Sequence, residues 1–173
     1  FIGQVWHTVN DSFVGQLAYV RVFGGTLKSD SEVFNVDKGH KERIGAMLIT
    51  NGKKQDTVSS AMAGEIVALP KLKITAIGHT LGVPGSKTLC PPLVFPKPVF
   101  SRAVRAKTQA DEDKLGTALQ RICEEDPTLN VLHNAETKEL VIQGLGDVHI
   151  DVAVELMKGR SHVEVLLDTP KVP

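Results

Sequence analysis

The chain has 173 residues, enough for one mid-sized domain or two small ones, each burying a modest core. Twenty basic and twenty acidic residues cancel, which excludes a strong overall field aimed at nucleic acid or a membrane surface. No apolar run is long enough to span a bilayer, and the N-terminus lacks the charged-then-apolar pattern of a signal peptide, so the chain reads as cytoplasmic, without a membrane partner.

Residues 1–93 carry ten Lys/Arg against seven Asp/Glu, and residues 94–173 ten against thirteen, a mild asymmetry that fits two domains. Residues 1–90 read as an all-β barrel domain. From Leu17 to Phe23 the residues alternate, with Ala18, Val20 and Val22 facing one way and Leu17, Tyr19, Arg21 and Phe23 the other. Strand-like runs recur at Glu32–Val36, Glu42–Ile49 and Glu65–Leu69, separated by Asp37-Lys38-Gly39 and by Asn51-Gly52, the latter a candidate hairpin turn. Short strands at this spacing predict a closed or nearly closed barrel. Trp6, Tyr19 and Phe23 read as core or interface residues rather than a stacking platform.

The composition then turns to proline, and residues 91–97 read as a semi-rigid linker, because proline removes backbone donors and blocks helices. Residues 98–173 read as βαββαβ, the pattern of an α+β ferredoxin-like domain. Its predicted elements are a strand over Val99–Lys107, a helix over Ala110–Glu125, a hairpin of Leu129–Leu132 and Glu139–Gln143, a helix over Asp147–Lys158 and a strand over His162–Asp168. The first helix presents Leu115, Leu119, Ile122 and Cys123 on one face. The second is expected to bury Val148, Val152, Leu156 and Met157.

Metal and redox chemistry find no footing. Cys90 and Cys123 make no C-x-x-C pair or zinc spacing, and the six histidines are scattered. Gly82-Val83-Pro84-Gly85-Ser86-Lys87-Thr88 has two residues between its glycines where a phosphate loop needs four, and Ser intrudes before Lys. No strand pattern ends cleanly at Gly82 and no helix pattern starts at Thr88, so no nucleotide site is expected there. Gly144-Leu145-Gly146 follows a strand and opens a helix, yet His149 stands where a dinucleotide fingerprint has its third glycine. That joint reads as a tight turn, with Asp147 capping the helix it begins. His149 and Asp151 diverge on that helix, so no catalytic residue is assigned. The run Lys38-Gly39-His40-Lys41-Glu42-Arg43 is either a solvated hairpin tip or a set of cations for RNA phosphates.

Taken in order, several of these segments resemble one family. Glu125-Asp126-Pro127-Thr128, Glu136-Thr137 and the run from Gly144 to Val152 resemble the third domain of elongation factor G, the ribosomal translocase. Upstream, Phe13-Val14-Gly15-Gln16-Leu17, Arg21-Val22, Gly25–Ser29, Lys38–Ile44 and Ala63-Gly64-Glu65-Ile66 resemble its second domain. The resemblance implies a barrel of the translation-factor domain II type, and an internal piece of a longer translational GTPase. GTP and Mg²⁺ would then be bound by the parent's GTPase domain, with no cofactor held here. It implies two partners, the ribosome (small-subunit RNA and protein) and the parent's GTPase domain. Thr128, Gly146, His149 and Ala153 would form a relay face toward that domain, beside the fusidic acid pocket. Lys28, Lys38, Lys41 and Arg43 would contact ribosomal RNA. The sequence departs from the family's pattern at Lys53-Lys54, at His79 (commonly Asp), at Ala153 (usually a larger aliphatic) and at Leu156 (commonly Arg). Two other readings stand beside this one: a factor-G paralogue in ribosome release, and a non-catalytic RNA- or protein-binding adaptor.

Overall fold

The computed structural model describes residues 1–11, 14–52 and 54–171. Phe13 and Lys53, which figure in the resemblance and in its departures, lie outside the described residues. The chain divides into two compact units, Phe1–Leu93 and Val94–Pro173.

The first unit is built from β1 (Ile2–Asp11), β2 (Gly15–Gly24), β3 (Thr26–Lys28), β4 (Glu32–Asn35), β5 (His40–Arg43), β6 (Met47–Asn51), β7 (Lys54–Val58), β8 (Ser60–Met62), β9 (Ile66–Pro70) and β10 (Thr80–Gly82). Among the described residues, eight strands form one antiparallel sheet in the order β5-β4-β10-β1-β2-β9-β6-β7, and β3 pairs with β8 as a separate ribbon. The alternation read in β2 is realised: Ala18, Val20 and Val22 enter the barrel core beside Val5, Val33, Leu69 and Leu81. Leu17 instead packs with Leu48 and Ala68 in a second, smaller cluster. A register shift between Val5 and His7 bulges β1 at Trp6, leaving that ring half exposed against His7 and Tyr19. The run expected as one strand over Glu42–Ile49 is two strands. The chain leaves the sheet after Arg43, and Ile44 drops into the core. The hairpin β6–β7 forms one residue later than expected, with Asn51 itself paired to Lys54 and Gly52 in the left-handed region at φ 59°.

The second unit runs β11 (Phe100–Ala106), α1 (Gln109–Glu125), β12 (Asn130–Asn134), β13 (Glu139–Gly144), α2 (Asp147–Ser161), β14 (Val165–Asp168). Its antiparallel sheet, in the order β12-β13-β11-β14, is the ferredoxin-like arrangement. Leu115, Ala118 and Leu119 of α1 and Ile150, Ala153 and Met157 of α2 share one core with Val104 and Ile142 of the sheet. Thr108 caps α1 by accepting the Asp111 N–H, and Asp111 and Glu112 complement the positive end of the helix. Helix α2 corrects two expectations. Its N-cap is Gly146 and not Asp147, which reaches out to Arg102 at 2.9 Å. Met157 is buried as expected, but Val148, Val152 and Leu156 are exposed, because the helix turns Ile150, Ala153 and Met157 to the sheet.

Candidate functional site

The joint between β13 and α2 is tied to the end of α1 by side chains. His149 occupies the first turn of α2, and its Nδ1 accepts the Leu145 N–H at 3.0 Å. This is a variant of the capping box, with the ring reaching back over Gly146 to a donor the helix leaves without a partner. With Nδ1 as acceptor, Nε2 carries the proton and donates to Asp126 Oδ2 at 2.9 Å. Asp126 is the C-cap of α1. Its other oxygen accepts the Thr128 N–H at 2.8 Å and the Thr128 hydroxyl at 2.5 Å, closing an Asx turn at Pro127. Burial opposes ionisation of Asp126, yet the Thr128 hydroxyl, the His149 ring and the Thr128 amide together hold its pKa below the ordinary 3.8. Gly144 lies tight against this cluster: a Cβ there would meet His149 Nδ1 at 3.0 Å, Ile150 Cγ1 at 3.1 Å and Leu129 Cδ2 at 3.3 Å, so these side chains would have to give way by a few tenths of an ångström.

The structure therefore brings Thr128 and His149 together through Asp126. That residue stood in the quoted Glu125-Asp126-Pro127-Thr128 segment without a role, and its partner lies 23 positions away. Gly146 is at the same joint with open space around it. Ala153 is only 3% exposed and belongs to the core beneath.

In the first unit, Lys41 and Arg43 of β5 line a surface pocket of about 520 Å³ together with Glu42, Lys71, Lys73 and Ile74. Lys38 stands in the turn between β4 and β5, and Lys28 lies on the separate β3–β8 ribbon. Lys71 and Lys73 were not singled out from the sequence. Behind the pocket runs a polar network: fully buried Asn35 donates through Nδ2 to Thr75 Oγ1 and toward His79 Nδ1, each at 3.0 Å, and accepts the Lys38 N–H at 3.1 Å. His79 Nδ1 also accepts the Ala76 N–H at 3.1 Å.

The Gly82–Thr88 segment does not fit phosphate-loop chemistry. A strand does end at Gly82, contrary to expectation, but no helix follows, and the Ser86 side chain packs onto Gly82 where a Cβ would meet it at 3.0 Å. Among the described residues no helix is long and apolar enough to cross a membrane.

Two family models match the chain in series. "Elongation factor G domain 2" covers residues 1–84 and "Elongation Factor G, domain III" covers residues 95–169. The chain belongs to the elongation factor G family. It is 37% identical over 172 residues to elongation factor G of Paracoccus denitrificans, covering 99% of this chain and 24% of that protein. A crystal structure of a Thermus thermophilus protein superposes with a TM-score of 0.88 at 32% identity, over 99% of this chain and 26% of that one. The chain thus spans about a quarter of the length of these relatives, the part that holds the family's second and third domains.

Proposed function

We propose that this chain is the ribosome-docking and relay portion of an elongation-factor-G-like translational GTPase acting in translocation. The observation that carries this reading is the ordered match of both family domains over nearly the whole chain. GTP and Mg²⁺ belong, on this reading, to a GTPase domain outside the chain. The barrel docks on the small subunit through RNA phosphates, using Lys28, Lys38, Lys41 and Arg43, where cations give sequence-tolerant and salt-dependent binding. In the second unit, Thr128, Gly146 and His149 form the relay face, with Ala153 supporting it from the core. The Asp126 carboxylate supports this role, because it joins the end of α1 to the start of α2, and a shift at either helix end is felt by the other. A relay requires contacts that differ between two nucleotide states, and the side chains of this joint would supply them.

The test is GTP turnover by the full-length protein, with and without ribosomes, in wild type and His149→Ala. Strong ribosomal stimulation that the variant loses supports docking and relay. Stimulation untouched by the substitution removes the relay, GTP binding without stimulation removes the ribosome, and no GTP binding favours the adaptor. Stimulated turnover without translocation would assign the protein to ribosome release.

A further inference from the structure

Within the basic run of β5, Glu42 is the anomaly. A carboxylate among His40, Lys41, Arg43, Lys71 and Lys73 ought to repel any phosphate drawn to that pocket. The structure shows what the carboxylate is used for. Oε1 accepts the Lys73 N–H at 2.6 Å and the Ile74 N–H at 3.1 Å, while Oε2 accepts the Thr75 hydroxyl. Three donors from one loop converge on one side chain, so its charge is directed into the protein and partly neutralised there. Thr75 in turn accepts from fully buried Asn35, which fixes the far side of the clamp to β4.

The loop so held carries Lys71 and Lys73. Lys71 follows Pro70 in the left-handed region at φ 64°, uncommon for a residue with a side chain, and its N–H is anchored on the Gln16 carbonyl at 3.0 Å. Both walls of the pocket are therefore fixed, one by the β4–β5 ladder and the other by Glu42. Lys41 is loosely paired with Glu32 at 3.7 Å, both side chains being exposed. Among the described residues Arg43, Lys71 and Lys73 form no ion pair and are available to a ligand.

Resting on the docking reading above, we propose that Glu42 is the positioning residue of a two-walled phosphate-backbone site, in which Lys71 and Lys73 work with Lys41 and Arg43. The site takes an RNA backbone rather than a single anion, because its cations come from two separate segments, β5 and the loop after β9, and line a pocket of about 520 Å³.

Simple charge counting and the clamp predict opposite outcomes. Removing a negative charge from a cationic pocket should tighten phosphate binding, whereas removing the clamp should weaken it. The probe is the purified small ribosomal subunit, titrated with the chain over a range of salt concentrations, with thermal unfolding confirming that each variant is folded. Glu42→Ala is expected to weaken binding about tenfold and to flatten the dependence of log K on log salt by roughly two phosphate contacts, those of Lys71 and Lys73. Glu42→Gln keeps an oxygen for the two amides and an amide donor for Thr75, so it is expected to bind like wild type. Lys71→Asn, which tolerates the left-handed conformation, and Lys73→Ala should each weaken binding and reduce the slope by about one. Equal or tighter binding by Glu42→Ala, with Arg43→Ala still weakening it, would overturn the clamp and leave docking intact. If Lys41→Ala, Arg43→Ala and the loop variants all bind as wild type, the docking reading itself fails.

Discussion

His79 in the barrel and His149 in the second unit both turn Nδ1 toward a backbone N–H, yet they serve different ends. His79 has two donors on that one atom, the Ala76 amide and Asn35 Nδ2, inside a loop packed on β4. His149 accepts on one nitrogen and donates on the other, so it spans from Leu145 to Asp126. The first histidine closes a loop onto the strand beneath it. The second links two helix ends. An identical tautomer thus makes a local brace in one place and a bridge in the other, and the difference lies in what stands opposite Nε2.

The bridge is expected to fail most severely. Asp126→Ala strands the Thr128 amide, the Thr128 hydroxyl and the His149 Nε2–H together. It should cost roughly 2 to 3 kcal/mol, less than for a sealed site because water can replace part of the loss. Denaturant unfolding would measure it, and a cost equal to that of His79→Ala would erase the contrast. Gly144→Ala presses a methyl group onto His149 Nδ1, Ile150 and Leu129, with an expected cost of about 2 kcal/mol. Amide exchange at Leu145 should rise with it, since the ring must move off that N–H. His79→Ala should cost about 1 kcal/mol, while His79→Asp, which offers a carboxylate oxygen to the Ala76 N–H, should recover most of it.

The smallest effect is the pH dependence of the brace. Burial pulls the His79 pKa below its ordinary 6.5, outweighing the Asp37 carboxylate that raises it. The unfolded chain then binds the proton more tightly than the folded one. The contribution of His79 is therefore complete above about pH 6.5 and is lost as pH falls through the lower folded value. The melting temperature should drop from pH 7.5 to 5.5, and drop less in His79→Asn. Asp126 has the same sign in a more acidic window. Its folded pKa is below 3.8, so its contribution persists in mild acid and disappears only as pH falls beneath that value. A melting curve insensitive to His79→Asn would show that the imidazole is not the group that titrates.

Much of the fold could be read from the chain because burial left one answer. In β2, Ala18, Val20 and Val22 enter the core on a period of two, and no competing face is as apolar. Helix α2 offers two answers. Val148, Val152 and Leu156 make one apolar stripe at intervals of four, and Ile150, Ala153 and Met157 make another at intervals of three and four. Periodicity recognises the helix but cannot choose between its faces; packing on the sheet makes the choice. The candidate sites have the same limit. Thr128 and His149 were named from the family's ordered motif, whereas Asp126 acquires its bond to His149 from a partner that only folding brings near. Lys71 and Lys73 lie some thirty residues from β5, and the bonds from Glu42 that bring them there have no periodic signature.

Among the described residues the sheet of the first unit has two ends, and β5 is one of them. A terminal strand exposes a row of unpaired amides and carbonyls, a template on which another molecule can add a strand of its own. Lys41 and Arg43 stand on that strand, and like charges do not stack. If Lys41 and Arg43 grip RNA as proposed, the same charges are also expected to oppose growth of one barrel onto the next. Replacing both with valine should give a protein that elutes as dimers and larger species at micromolar concentration. On this reading, a loss of affinity for phosphate would come with a loss of protection against edge-to-edge association.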